Sequence, residues 1–98
     1  MAKFDIYRTT DGTMLLDCQS DVLAHLNTRF VVPLASPDNA VQVDQRLTPL
    51  LHVAGEELLM LTHFAAALPV TALGRLTGSA ADQDFTVSNA LDMLISGY

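Results

Sequence analysis

The chain has 98 residues, of which 50% are hydrophobic and 16% are charged, and its net charge is -6 at pH 7. We expect one domain over residues 1–98, with more apolar side chains than so small a domain can bury, so that a partner surface or a homodimer interface covers the excess. Its 5 Lys and Arg residues argue against DNA or RNA as a direct ligand and favour a basic protein surface as the partner.

The chain contains one cysteine, Cys18, and its N-terminus lacks the apolar stretch of a secretory signal. These features predict a cytoplasmic protein without an internal disulfide. The uncharged run over residues 58–74 is too short and too polar for a membrane span, and we expect it to form buried core. Because Cys18 shares a strand face with Leu16, it is predicted to be a core residue and not a reactive thiol.

The first predicted element is a β-hairpin. Phe4 and Ile6 lie on one face of a strand over residues 3–8, which alternates apolar and polar side chains. Asp11-Gly12 supplies the turn, and residues 14–19 form the returning strand.

The middle of the chain predicts further strands. Residues 29–35 are rich in β-branched and aromatic side chains, and Pro33 predicts that this strand lies at a sheet edge or contains a bulge. Residues 36–47 are predicted to form a surface loop. Residues 48–53 and 57–62 flank a short glycine-containing connection and predict a second hairpin, whose later strand is apolar on both faces and therefore central.

A helix is predicted at the C-terminal end of the chain. Before it we expect a helical turn over residues 63–68, a short strand over residues 70–73 and a loop over residues 75–83. Ser79 and Asp82 resemble a capping box. Beyond them, apolar residues recur at spacings of three and four and predict a stripe that packs on the sheet, formed by Val87, Ala90, Leu91, Leu94 and Tyr98.

The end of this helix carries negative charge where the helix dipole is already negative. Asp92 lies close to the end, and no Lys or Arg follows Arg75. Gly97 is in position to form a left-handed cap, which would turn Tyr98 away from the helix axis. We predict that this anionic, aromatic-tipped end is a contact surface; the alternative is that Tyr98 folds back onto the sheet.

Residue types used in catalysis and metal binding are present, but not at the required spacing. His25, His52 and His63 show none of the short ligand spacings of zinc motifs. Ser20, Asp21 and His25 are the residue types of a catalytic triad, but no strand-to-helix nucleophile elbow accompanies them. The glycines are isolated and form no phosphate loop. We therefore predict no catalytic residue, no metal and no cofactor.

Several short motifs occur in an order and at separations that resemble the CcdB family of toxins. They are Phe4-Asp5-Ile6-Tyr7, Gln19-Ser20-Asp21-Val22-Leu23, Arg29-Phe30-Val31-Val32-Pro33-Leu34, Met60-Leu61-Thr62, Leu68-Pro69-Val70, and a C-terminal helix that ends in a glycine and one large residue. The resemblance is weak only over residues 37–48 and 75–83. Each motif is unspecific by itself, but together they identify the family.

This resemblance implies a mainly β fold with a C-terminal α-helix: an SH3-like antiparallel barrel that assembles as a homodimer. It also implies a type II toxin-antitoxin toxin, of the kind that serves plasmid maintenance. Such a toxin binds the A subunit of DNA gyrase and traps gyrase on cleaved DNA. A cognate antitoxin neutralises it through a disordered segment that folds on binding. The toxin itself is not an enzyme.

The resemblance also implies where the partners bind. The family contacts gyrase through a Trp-Gly-Ile type ending, which here is Ser96-Gly97-Tyr98, so that only the glycine matches. The gyrase-binding residues implied for this chain are Asp92, Ile95, Ser96, Gly97 and Tyr98. The residues implied around them, or in the overlapping antitoxin site, are Phe4, Tyr7, Ser20, Val22 and Leu23. A buried Trp at an interface is worth about 2–4 kcal/mol, so its loss would weaken gyrase binding roughly a hundredfold.

Two other functions remain open at this point. The chain could be a diverged relative that binds antitoxin but no longer poisons gyrase. It could also be a messenger-RNA endoribonuclease of the MazF type, which uses the same barrel. Such an enzyme needs a cationic groove and a positioned acid and base, which so few basic residues supply poorly.

Overall fold

The computed structural model of the protein describes residues 1–97. Within them, the strands are β1 Asp5–Arg8, β2 Met14–Asp17, β3 Thr28–Ala35, β4 Leu50–Val53, β5 Glu56–Met60, β6 Ala66–Pro69 and β7 Arg75–Ser79, and the helix is α1 Asp84–Ser96. All strand pairs are antiparallel, in the order β4-β5-β3-β2-β1-β7, with β6 also paired to β3. The curled antiparallel half-barrel sheet with a C-terminal helix confirms the predicted mainly β fold class, and assembly as a homodimer stays a prediction.

The predicted N-terminal hairpin is confirmed, and its alternation divides the core in two. β1 pairs with β2, with Tyr7 opposite Leu15. Ile6 and Leu16 belong to the larger apolar cluster, which also contains Val87 of α1. Tyr7 and Leu15 belong to a smaller cluster on the other face of the sheet. Burying one such aliphatic side chain contributes about 1.5–3 kcal/mol, so both faces of this hairpin help hold the sheet.

The second predicted hairpin is also confirmed, as β4 and β5. The connecting residues Ala54 and Gly55 both have positive φ, as a tight two-residue hairpin turn requires. β5 lies between β4 and β3, and its Leu58, Leu59 and Met60 are buried. The prediction that this apolar strand is central is therefore correct.

The prediction that Pro33 marks an edge strand or a bulge is wrong in its first part. β3 pairs with β2 along one side, and Pro33 lies opposite Leu15 in that register. Along its other side, β3 pairs with β6 over Thr28–Val31 and with β5 over Leu34–Ala35. Pro33 lies where the strand changes partner, so its missing N–H leaves no regular ladder bond unmade.

Three predictions about residues near and after residue 60 are also wrong. The run over residues 58–74, expected to form buried core, is buried at its start but mostly exposed after Thr62. Residues 70–73 do not form a strand: Val70–Ala72 is a 3-10 turn, and the strand is the preceding β6. Residues 75–79, predicted as loop, form β7 and pair with β1. The predicted helical turn after residue 62 is present only as the short 3-10 turn Thr62–Phe64.

Helix α1 begins later than the predicted capping box. The hydroxyl of Ser79 accepts a hydrogen bond from the N–H of Ala81 at 3.1 Å, and a 3-10 turn over Ala81–Gln83 follows before the helix starts at Asp84. The predicted packing stripe is correct at Val87 and Ala90, which are buried, and at Leu91, which packs partly buried against them. Leu94 is exposed, and Tyr98 lies outside the described residues.

Among residues 1–97, no helix has both the length and the apolar content needed to span a membrane.

Candidate functional site

The end of α1 was predicted from the sequence to be a contact surface, and its described residues lie at the surface of the protein. Ile95 is 74% exposed, and Asp92 and Ser96 are exposed as well. Gly97 has a φ of 77°, and its N–H donates to the carbonyl of Met93 at 3.0 Å, which confirms the predicted left-handed cap. Tyr98 lies outside the described residues. We call Asp92, Ile95, Ser96 and Gly97 the helix-end surface.

The charge of this surface is unfavourable for the helix itself. Asp92 lies toward the negative end of the dipole, and the last turn of α1 contains no basic side chain. Such an arrangement costs a few tenths of a kcal/mol, about 0.3–1, at an exposed site. A large aliphatic side chain, Ile95, stands exposed on the next turn. An exposed apolar residue beside an unfavourable carboxylate is what a surface for a basic, partly apolar partner would contain.

A second predicted group lies in the turn after β2, over residues 20–23, which we call the Ser20 turn. The Ser20 hydroxyl accepts a hydrogen bond from the N–H of Val22 at 3.3 Å. The Gln19 side chain donates to the carbonyl of Leu23 at 2.9 Å and accepts from the N–H of Phe30 at 3.0 Å. These bonds fix both ends of the turn, so Val22, 83% exposed, and Leu23 are held at the surface.

The N-terminal segment is tied to the Ser20 turn. The N–H of Lys3 donates to the Asp21 carboxylate at 2.8 Å, and the Lys3 ammonium lies 4.8 Å from the centre of the Phe4 ring. Phe4 has a φ of 73°, a conformation that costs an aromatic residue about 1–3 kcal/mol and is concentrated at functional sites. The structure therefore brings the start of β1 and the Ser20 turn together.

Two of the residues assigned to this region by resemblance do not present their side chains to a partner. Phe4 is 5% exposed and belongs to the larger apolar cluster, whereas Tyr7 points to the opposite face of the sheet and lies buried in the smaller one. Phe4 shares its cluster with Cys18, at the base of the Ser20 turn, and with Val87, Ala90 and Leu91 of α1. Its ring thus helps to support the turn and the helix from a common core.

A buried ion pair lies beneath the Ser20 turn and was missed by sequence reasoning. The Asp17 carboxylate accepts from Arg29 Nε at 2.7 Å, and both side chains are fully buried. The other Asp17 oxygen accepts from the N–H of Gln19 at 3.0 Å, so the pair also orients the turn. Both terminal guanidinium nitrogens of Arg29 are buried without a partner. The alternation of side chains along the strands could have indicated this pair. It places Asp17 on the same face as Leu15, and Arg29 on the same face as Val31, in two strands that pair with each other.

Cys18 is buried, as predicted, and burial raises the pKa of its thiol from 9.0 to about 12, with the Asp17 carboxylate adding to the shift. Because the thiolate is the reactive form, we expect iodoacetamide at about pH 8 to alkylate the folded protein roughly a thousandfold more slowly than the urea-unfolded protein. Mass spectrometry of timed samples measures both rates. Equal rates would show that Cys18 is accessible and that this assignment to the core is wrong.

The raised pKa of Cys18 also determines how the contribution of this residue to the stability of the protein changes with pH. The folded state keeps the proton on Cys18 between about pH 9 and 12, whereas the unfolded state loses it. The contribution of Cys18 to stability is therefore fully present below about pH 9 and falls as the pH rises above that value.

A family model described as CcdB protein matches residues 3–97 of the chain, which include β1, the Ser20 turn, the sheet and α1 through its glycine cap.

Proposed function

The chain belongs to the CcdB family, and from that membership we propose that it is a toxin that binds the A subunit of DNA gyrase and traps gyrase on cleaved DNA. The observation that carries the proposal is the helix-end surface. Ile95 is exposed beside Asp92 on a helix whose left-handed cap at Gly97 ends it abruptly. The surface therefore projects as a blunt, anionic and partly apolar tip.

The proposed mechanism needs no bond to be made or broken by the toxin. A ligand shifts a conformational equilibrium only by its difference in affinity for the two states. The tip would bind the cleaved, open form of gyrase more tightly than the closed form, and would thereby hold the enzyme on broken DNA. The rigid cap supports this action, because a helix end already fixed in shape loses little entropy on binding.

We also propose that the active species is a homodimer. Outside the helix-end surface and the Ser20 turn, the described residues leave several large apolar side chains exposed, including Leu26, Phe64, Leu76 and Leu94. A second copy of the chain would cover part of this area, and the dimer would present two helix ends to gyrase. Sedimentation at micromolar concentration tests the stoichiometry.

The Ser20 turn supports the antitoxin part of the proposal. Val22 and Leu23 are aliphatic and exposed, and the two hydrogen bonds of the Gln19 side chain fix the turn that carries them. They therefore form a preorganised anchor for a segment that folds on binding. We propose that a cognate antitoxin with a disordered C-terminal segment covers this turn and overlaps the gyrase site. Phe4 would support that surface from the larger apolar cluster, and Tyr7 would support the sheet from its other face.

The central experiment mixes the purified protein with gyrase, supercoiled DNA and ATP. We expect linear, protein-bound DNA to accumulate, and we expect prior addition of a cognate antitoxin to prevent it. Intact supercoiling with no linear product, at concentrations where the protein is shown to bind gyrase, would overturn the poisoning mechanism.

Ser96 favours a second candidate function, because it is a small polar residue at the position where the family has an aromatic one. A diverged relative of this kind would bind antitoxin but produce no linear DNA in the same assay. The endoribonuclease alternative is disfavoured by the buried ion pair, since Arg29 is fully buried against Asp17 and cannot hold a phosphate.

A further inference from the structure

The end of β1 remote from Phe4 brings together two of the chain's 5 basic residues. Arg8 of β1 lies directly opposite Arg75 of β7, and both side chains are exposed. We call them the arginine pair. Like charges directly opposite each other on paired strands repel and destabilise the sheet. This repulsion occurs in a chain whose net charge is -6, where an acidic residue opposite either arginine would be the stabilising choice.

The backbone at Gly74 is what lets the two arginines approach each other. Gly74, next to Arg75, has a φ of +81°, and a Cβ atom there would overlap the carbonyl group of Arg8. Only glycine permits both the conformation and the close approach. The two strands therefore meet at this point because residue 74 has no side chain.

A concave surface lies beside the pair. Its volume is about 480 Å³, and it is lined by Arg8, Thr9, Thr10, Gly12, Gly74 and Arg75. Threonine hydroxyls and backbone at two glycines are hydrogen-bonding groups suited to a small polar ligand.

Two acidic residues lie in the neighbourhood of the arginine pair, but among residues 1–97 neither forms an ion pair with it within 4 Å: Glu56 lines a cavity together with Arg8, and Asp11 follows Arg8 in the turn. Asp11, in the turn between β1 and β2, accepts hydrogen bonds from the Thr9 hydroxyl and the Thr13 N–H, and these bonds hold the pKa of its carboxyl below its usual value. Arg8 makes a long contact of 3.4 Å to the carbonyl of Gly12. Among residues 1–97, the ion pair with a nitrogen–oxygen distance below 4 Å is that of Arg29 with Asp17, and it does not involve Arg8 or Arg75.

We propose that the arginine pair binds a short acidic peptide segment of a partner protein, with a carboxylate on each guanidinium. Arginine presents a planar fork of donors that matches a carboxylate with two parallel hydrogen bonds. Two adjacent acidic side chains of the peptide would supply one negative charge for each guanidinium. A long nucleic acid fits less well, because its closely spaced phosphates would meet the field of an acidic protein after the first contacts.

This site is separate from the Ser20 turn. Phe4, next to the Lys3 that bonds Asp21, directly precedes β1, and Arg8 is the last residue of β1, so the strand, roughly 13 Å long, lies between them. A partner could therefore occupy the arginine pair while the Ser20 turn is engaged. The proposal predicts an additional contact and does not depend on gyrase poisoning.

Fluorescence anisotropy with a labelled hexaglutamate peptide at low salt tests the proposal directly. We expect saturable binding by the protein, weakened at least tenfold in the Arg8→Gln, Arg75→Gln double variant and by added salt. Lys3→Gln with Arg46→Gln is the charge-matched control, because it removes two cations elsewhere, and it should bind within about twofold of the parent. Circular dichroism checks that both variants remain folded.

Three results would overturn the proposal. The parent protein could show no saturable binding of hexaglutamate, or the charge-matched control could lose as much affinity as the double variant. A single-stranded oligonucleotide could also bind the arginine pair more tightly than the peptide, which would assign the site to nucleic acid.

Discussion

Replacing Ile95 with serine is expected to lower gyrase poisoning by about thirtyfold or more while leaving the fold intact. Ile95 is 74% exposed at the end of α1, so it contributes little to the core, and an exposed substitution usually changes stability by less than about 0.5 kcal/mol. At an interface, an anchoring aliphatic side chain is worth about 2 kcal/mol, which corresponds to the thirtyfold loss. The concentration of protein that gives half-maximal linear DNA measures the effect.

Phe85→Ser is the matched control. Phe85 is 80% exposed on the same helix, in its first turn, and therefore lies roughly 15 Å from Ile95 along the helix axis. It lies outside the helix-end surface, so its loss should leave the cleavage assay unchanged. If both variants poison gyrase equally well, or if Phe85→Ser is the weaker one, the end of α1 is not the contact surface.

The parts of the fold that follow from local pattern could be predicted from the sequence. Phe4 and Ile6 alternate with polar residues, and the Asp11-Gly12 turn joins two strands of matching pattern, so the first hairpin and the division of its faces followed directly. The helix was predictable for the same reason, because Val87, Ala90 and Leu91 repeat at its period. In these elements the burial pattern and the secondary structure carry the same information.

The missed elements are those whose structure depends on distant partners. β7 has no alternation, because all its residues except Gly78 are exposed, and it is a strand only because β1 pairs with it. β6 contains alanines and a proline, and its pairing with β3 is what makes it extended. Pro33 was misassigned because the change of partner along β3 cannot be seen in one segment.

The candidate site shows the same division. The Ser20 turn could be predicted, since serine and aspartate side chains bond their own backbone locally. The burial of Phe4 and Tyr7 was implicit in the strand alternation, although resemblance alone placed them with the surface residues. The link from Asp17 to Gln19 needed the pairing of β2 with β3, because Arg29 approaches from another strand.

The buried ion pair carries the largest expected effect on stability. Replacing Arg29 with methionine leaves the Asp17 carboxylate buried without its charged partner, and replacing Asp17 with leucine leaves the Arg29 cation in the same position. Removing one partner of such a pair costs about 3–5 kcal/mol. Because a domain of this kind has a total stability of about 5–15 kcal/mol, either variant should be close to unfolding. Urea denaturation followed by circular dichroism measures the loss as a lower midpoint.

The double variant Asp17→Leu, Arg29→Met separates the unpaired charge from a simple packing defect. This variant removes both charges and both unpartnered guanidinium nitrogens, and it fills the space with apolar side chains of similar size. Its free energy of unfolding should therefore lie within about 1 kcal/mol of that of the parent. A double variant as unstable as the sum of the two single variants would show that the charges do not act together. Recovery of stability would not restore the bond from Asp17 to the N–H of Gln19, so the Ser20 turn should remain loosened and antitoxin binding should stay weak. The double variant would then have nearly the stability of the parent but weaker antitoxin binding. The two properties differ in this variant because the Asp17 carboxylate has two roles: it neutralises Arg29 and it orients the Ser20 turn.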